Sequence, residues 1–529
     1  MAVAQLLDTT LLSTLRWLSS IVRDFGYTKA IAASAGVAIA YNVAYALFFS
    51  PLRHIPGPFL ARLTSKRTEA VAMMGWMAKY ARKEFEKYGD VYVYQPNSVS
   101  ISNHTDIRTV LATHAFPKSP FYSTLDVFDI PNTLSATSPE LASMRRRQLG
   151  PYLNHGYLRR MEATIIKHGI RAIKEKWDAL IAKSPDGKVE VVYSNEFLLA
   201  TFDVTSALSF GREFGAVKNN DVTVAEWISS TLAFFGIRLM FRGWPNFLTA
   251  PILSRWETRY NELVAFSAEC IAKRRELLLT AEEKPTDLLQ GFIDAEDPES
   301  KIRMSPLQVH AETLIMLIGG SETSSNTLAW TLHLLMLYPQ HYKRAVEEVR
   351  SVFDKDHLIG YYEGRSKLPF VEACLYESLR VCPVTGGQAT RVVPEGGVTL
   401  SGGHFIPAGF EINVNMQGAN LNEKVWSDPY LFDPTRFLDN SDAKQSLLTF
   451  SSGVRICPGR HLAWMEMVTI LANLLKDYDF ALPADYKLCG PDILDERGYP
   501  KIMESQMYIV SAPKNPRRDC RIVVSKCST

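Results

Sequence analysis

Ten residues, Phe450-Ser451-Ser452-Gly453-Val454-Arg455-Ile456-Cys457-Pro458-Gly459, place one cysteine at the end of a glycine-punctuated loop. An apolar helical run starts directly after it, near His461. Gly453 and Gly459 let the backbone turn tightly and approach a flat ligand. Amide N–H groups of such a turn, and of the first turn of the following helix, can hydrogen-bond a sulfur anion and hold it as thiolate. Arg455, two residues upstream, can pair with an anionic edge of the same ligand. A free cysteine buried for packing is the plainer reading of any lone Cys.

Two further groups carry chemistry. In Gly319-Gly320-Ser321-Glu322-Thr323-Ser324, two glycines interrupt a long helical segment, Ser305–Tyr338. Each costs roughly 1 kcal/mol against alanine in a helix interior, so something must compensate. Thr323 and Ser324 can bond the carbonyls behind them and open the helix ladder, making room for a small ligand. A plain glycine packing contact is the alternative. In Tyr376-Glu377-Ser378-Leu379-Arg380, Glu377 and Arg380 share a helix face at i and i+3 and can pair. Arg436, in Phe432-Asp433-Pro434-Thr435-Arg436-Phe437, follows them and precedes the cysteine loop. Taken alone, the Glu–Arg spacing reads as an exposed ion pair.

The elements that must position these groups are mostly helical. Period-3.6 patterning marks Met73–Tyr88, Met144–Leu149, Tyr157–Lys183, Val224–Phe235, Trp256–Thr280, Ser305–Tyr338 and His461–Tyr478. Alternating Val91–Tyr94 and Val99–Ile101 predict a hairpin, and short strands are expected at Arg391–Val393, Val398–Leu400 and Ile412–Val414. The fold class is therefore mostly α, an α+β chain with small sheets.

The cysteine loop matches F-x-x-G-x-R-x-C-x-G, and the order of the three motifs is that of the cytochrome P-450 family, which the chain resembles from Ile55 onward. The resemblance implies the cytochrome P-450 fold, with haem b as cofactor and Cys457 as axial iron ligand in a loop that includes Phe450 and Gly453. It implies that Glu322 relays protons and that Thr323 gives dioxygen a hydrogen bond. Glu377, Arg380 and Arg436 form a buried charge network behind the haem. Arg455, Arg391 (in Thr390-Arg391-Val392-Val393-Pro394) and Arg146 (in Arg145-Arg146-Arg147) face the haem propionates. Four residues before Arg146, where the family commonly has Trp or His, stands Ala142, so a propionate contact is missing there. A solvated face is the plainer reading of the arginine run. Lys118 and Tyr122 are similar to filamentous-fungal members. The family alignment lines a largely apolar pocket with Phe121–Ile130, Phe234–Phe247, Ile315, Ile318, Val384–Gln388 and residues near Met503. The aromatic stretch Leu232–Phe247 is also suited to touching a bilayer surface.

Bulk properties frame this reading. The 529 residues are 47% hydrophobic and 22% charged, a globular composition, and a net charge of +2 gives no general pull toward nucleic acid. Seven dispersed cysteines form neither a disulfide framework nor a C-x-x-C pattern, which points to a reducing compartment. From Ala30 to Phe49 no charge occurs over 20 residues, enough for one transmembrane helix. A cleaved signal peptide is the alternative, but the 29 preceding residues are long for one. The expected organisation is an N-terminal segment at 1–29, a transmembrane helix at 30–49, a proline-rich hinge at 50–58 (Ile55-Pro56-Gly57-Pro58) and a haem-binding catalytic domain at 59–529. The expected place is the endoplasmic reticulum membrane, single-pass, with the catalytic domain cytosolic.

No nicotinamide- or flavin-binding motif occurs, and 72 residues follow Cys457, too few for a reductase domain. Electrons are expected from a separate NADPH-cytochrome P-450 reductase, with cytochrome b5 as a further donor. The reading is a haem-thiolate monooxygenase oxidising a lipophilic small molecule, in fungal secondary-metabolite biosynthesis. The alternatives are a haem-thiolate isomerase or dehydratase, a detoxifying or aromatic-acid hydroxylase, and a non-catalytic haem sensor.

Overall fold

The computed structural model describes residues 27–241, 244–386 and 389–527. Most of the N-terminal segment 1–29, and Gly387 and Gln388 of the expected pocket wall, lie outside the described residues.

A 32-residue helix, Pro306–Leu337, runs through the centre. Ser305 and Gln308 close its first turn reciprocally: Gln308 N–H donates to Ser305 Oγ (3.3 Å) and Ser305 N–H to Gln308 Oε1 (2.8 Å). Pro306 sits where its missing N–H costs nothing. The helix Tyr193–Phe210 packs closely along it. Gly320 permits this, since a Cβ there would stand 2.5 Å from Thr205 Cγ2. Thr201 Oγ1 donates to the Ser321 carbonyl (2.8 Å), and the Thr205 and Ser321 hydroxyls meet at 2.7 Å. Sequence periodicity does not mark Tyr193–Phe210, because a helix buried nearly all round has no polar stripe.

Other differences have local causes. The expected helix Met73–Tyr88 is two, Lys66–Met73 and Met77–Tyr88. They part at Gly75 (φ +67°), where a side chain would collide with Gln506. Tyr157–Lys183 is likewise divided into His155–Arg159, Glu162–Ile166, a wide turn Lys167–Arg171 and Ala172–Lys183. Gly169, in that turn, lies against Val204 and Ile470 of two neighbouring helices.

The expected hairpin forms, Val91–Gln95 against Ser98–Ile101. Glu411–Val414 joins it in parallel and Ala389–Val392 completes a four-stranded sheet. Pro117–Ser119 lies along Ala389–Val392, with Val392 N–H donating to the Pro117 carbonyl (2.9 Å) and Ser119 N–H to the Thr390 carbonyl (3.2 Å). Arg391 is thereby held at a sheet edge.

At the N-terminus a helix runs from Tyr27 to Ala44 and continues as a wider turn to Phe49, with Ile31, Val37, Ile39, Phe48 and Phe49 exposed. The stretch after it is docked on the body. Leu52 and Ile55 are buried, Val93 N–H donates to the Pro56 carbonyl (2.7 Å), and the Arg62 guanidinium binds the Leu52, Arg53 and Ile55 carbonyls.

Candidate active site

The cysteine loop is a tight return. Gly453 adopts φ +60°, and a Cβ there would collide with the Leu111 carbonyl, so only glycine fits. Cys457 N–H donates to the Phe450 carbonyl (2.8 Å), which closes the loop. The helix Arg460–Asp477 starts immediately after Gly459. Burial pushes the Cys457 thiol up, against the pull of the Gly459 and Arg460 backbone amides and the Arg146 and Arg460 guanidinium groups. Gly459 itself has ordinary backbone angles; a side chain there would meet nothing within 4 Å.

The arginine run on the helix Pro139–Leu149 divides three ways. Arg145 is buried and faces Glu312 of the central helix (3.3 Å), while Arg147 pairs with Asp297 (2.6 Å). Arg146 instead reaches the Ile456 carbonyl, beside Cys457. Arg391, 3% exposed, has no hydrogen-bond partner for Nε, and Arg455 has none for Nη2, among the described residues. Burial, then Arg391 and Arg146, bring the Arg455 guanidinium down to about 10. Three sequence-selected cations thus converge and repel one another.

On the central helix, Thr323 Oγ1 donates to the Gly319 carbonyl (2.6 Å). The helix continues unbroken through this point, and Ser324 Oγ has no hydrogen-bond partner among the described residues, so the expected opening of the ladder does not occur. With its hydrogen committed to Gly319, the Thr323 hydroxyl keeps its lone pairs available and must turn to act as a donor. Gly319 adds space, since a Cβ there would meet nothing within 4 Å. Glu322 is buried, and burial lifts its carboxyl to about 7 against a hydrogen bond from Asn326 Nδ2 to Oε1 (3.1 Å). Near neutral pH it can therefore both hold and release a proton.

Glu377, Arg380 and Arg436 come together in a different way. Arg380 Nε and Nη2 grip Glu377 Oε2 and Oε1, each at 2.7 Å, with neither side chain exposed. Arg436 Nε adds 3.2 Å to Oε1, and Asp433 N–H donates to the same oxygen (2.9 Å). Arg380 also donates to the Asn420, Pro429 and Leu431 carbonyls.

A family model described as Cytochrome P450 matches residues 54–494 of the chain. This protein belongs to the cytochrome P450 family. Two Aspergillus fumigatus relatives are named cytochrome P450 monooxygenase helB1 and helB2. Each is 46% identical, over 490 and 489 residues, which is 92% of this chain and 84% and 96% of theirs. A Fusarium relative named cytochrome P450 monooxygenase LUC2 is 28% identical over 447 residues, 82% of this chain and 84% of its own. The chain is a cytochrome P450 monooxygenase, an oxidoreductase of the fungal type.

The P450 family implies a haem-thiolate cofactor, and the residues fit one. The thiol is held in a tight loop, and a Cβ at Gly459, two residues on, or at Gly319 of the central helix would meet nothing within 4 Å. Buried nitrogens of Arg391 and Arg455 lack acceptors among the described residues, as a site for carboxylates would require. Of the expected pocket wall, Phe234 and Phe235 turn inward while Trp244 and Phe247 are 51% and 75% exposed. Phe128 lies against His310 at 4.8 Å between ring centroids.

Sequence reasoning did not single out Glu466 or Asn326. Glu466 is fully buried, neither of its oxygens has a hydrogen-bond partner among the described residues, and burial lifts it to about 8 with Ser324 acting the other way. Its signal was available: between Cys457 and Asp477 it is the one carboxylate, in an otherwise apolar run.

Proposed function

We propose that this P450 hydroxylates or otherwise oxidises a lipophilic small molecule in fungal secondary-metabolite biosynthesis, using electrons from a separate NADPH-cytochrome P450 reductase. Cys457 holds the haem iron. Arg146, Arg391 and Arg455 receive its carboxylates, in a loop shaped by Phe450 and Gly453. Glu377, Arg380 and Arg436 hold the fold behind it. When bound, the haem supplies the binding and activation of dioxygen. The chain supplies the protons: Glu322, oriented by Asn326, holds one in a buried place, and Thr323 passes or accepts one beside the open space at Gly319. The helix up to Phe49 and the exposed Trp244 and Phe247 support attachment to the endoplasmic reticulum membrane, with the body on the cytosolic side.

The observation that carries the reading is the pairing, on the central helix, of a buried carboxyl near neutrality with an adjacent hydroxyl. An isomerase or dehydratase acting on peroxides would need no such proton supply. The test uses added reductase, NADPH and a panel of lipophilic substrates. Thr323→Ala should retain haem but form less product per NADPH and more hydrogen peroxide. A positioned proton group is worth about 10²–10⁴ in the step it serves. Because water can take its place, the product-to-peroxide ratio is the readout. Equal ratios in wild type and variant would contradict the proposed role.

A further inference from the structure

The helix Pro139–Leu149 carries Arg145, Arg146 and Arg147 in succession. Successive residues of a helix stand about 100° apart around its axis, so Arg146 projects between its two neighbours. Each neighbour is taken by a buried carboxylate. Arg147 Nε and Nη2 donate to Asp297 Oδ1 (2.6 Å) and Oδ2 (3.0 Å), and Asp297 is fully enclosed. On the other flank Arg145 Nε lies 3.3 Å from Glu312 Oε1, both side chains being buried. Among the described residues Glu312 is the one ion-pair partner of Arg145, and Arg145 Nη2 has no hydrogen-bond partner. Gln148, one turn further, accepts from Arg145 Nη1 (2.6 Å) and donates to the Ile302 carbonyl (2.8 Å). Both oxygens of Glu312 also accept Thr133 N–H, at 2.9 and 3.1 Å. Burial pushes the Glu312 carboxyl up, with Thr133 and then Arg145 acting the other way. Pins on both flanks fix the rotation of the helix about its own axis. That rotation decides whether the Arg146 guanidinium meets the Ile456 carbonyl, next to Cys457. Arg146 is one of the groups that favour the Cys457 thiolate against burial.

We infer that Glu312 is a positioning residue of the cysteine site: by taking Arg145 from the central helix, it aims Arg146 at the Cys457 loop. This rests on the haem reading above. Glu312 acts through Arg146, so its removal should matter only while Arg146 is present.

Glu312→Gln alone leaves Arg145 charged and unpaired in the interior and is expected to fold poorly. The test therefore uses Glu312→Gln with Arg145→Met. This pair of substitutions leaves the net charge unchanged, and the Gln oxygen can still accept Thr133 N–H. Holoprotein is compared with and without Arg146→Met as a double-mutant cycle. Spectroelectrochemistry gives the reduction potential, and haem transfer to excess apomyoglobin gives the rate of cofactor loss. With Arg146 present, the paired substitution should move the potential to more negative values, as a cation withdraws from the thiolate. It should also speed haem loss by about three- to tenfold, the worth of one hydrogen bond. In the Arg146→Met background it should change neither. Wild-type potential and haem loss in the paired variant would overturn the inference. So would equal changes in both backgrounds, the mark of a merely structural role. The carbon monoxide spectrum keeps the two readings apart. If the wild type lacks the red-shifted thiolate band, the haem reading itself fails, whereas an intact band with an unmoved potential refutes only Glu312.

Discussion

Arginine appears in two clusters of this protein under opposite conditions. Around Glu377, Arg380 is buried completely, but a bidentate carboxylate and three carbonyls satisfy it, and Arg436 shares the same carboxylate. Around Tyr122, Arg391 and Arg455 are surrounded by further cations, and each leaves a buried nitrogen without a partner among the described residues. Desolvating a charge is costly in both places, and only the first cluster offsets that cost internally. A closed network of this kind needs no ligand and acts on stability. The open one has no carboxylate paired with Arg391 or Arg455 among the described residues, which supports the proposal that it receives an anionic ligand. Residue type and burial are alike in the two; the presence of counter-charge distinguishes them.

The largest expected effect comes from breaking the closed network. Glu377→Gln leaves Arg380 without its counter-charge in the interior, a loss of about 3–5 kcal/mol. Thermal unfolding should show a large drop in midpoint, or the protein should fail to accumulate folded. A variant as stable as wild type would remove the contrast between the clusters.

Arg455→Met should behave in the opposite sense. The fold loses a half-buried charge repelled by Arg391 and Arg146, so folded yield should hold, while haem is lost roughly tenfold faster for want of one charge-assisted hydrogen bond. A fall in folded yield with haem affinity unchanged would make Arg455 a structural residue like Arg380.

A smaller, pH-dependent effect belongs to Glu466, a buried acid with no cation paired to it among the described residues. Its carboxyl is held neutral up to about 8, far above the ordinary 4.5. The stability tied to that neutral form is complete below about pH 4.5 and is lost as pH rises toward 8. Glu466→Gln, neutral throughout, should therefore be more stable than wild type at pH 8, by roughly 1–3 kcal/mol, and close to it at pH 5. Melting curves at the two pH values check this, and a gain of equal size at both would show that charge is not involved.

How much of this could be read from the sequence depended on how local the signal was. The Cys457 loop, the Glu377–Arg380 spacing and the Gly319–Ser324 segment each lie within ten residues, so side-chain type and helical or turn geometry sufficed to single them out. Which member of Arg145-Arg146-Arg147 faces the cysteine loop could not be read locally, because it depends on Glu312 and Asp297, more than 140 residues away, each taking one neighbour. Lys118 opposite Arg391 is a pairing between distant segments and is invisible to periodicity. The helix Tyr193–Phe210 escaped for the reverse reason: it is buried on nearly every side, and a helix without a polar face has no amphipathic signature. Ser50–Pro58 reads as a stiff linker from its prolines, yet Arg62 and Val93 bind its carbonyls and dock it on the body.

The central claim is that Cys457, in the loop that also carries Arg455, holds the cofactor. The most direct measurement is the absorption spectrum of the reduced protein under carbon monoxide. Wild type should show the red-shifted Soret band of thiolate-ligated haem, and Cys457→Ala should lose it. Cys374→Ala and Cys382→Ala should keep it, since those thiols lie on and just after the helix Pro369–Val381, outside the cysteine loop. A Cys457→Ala protein with the wild-type spectrum would contradict the assignment.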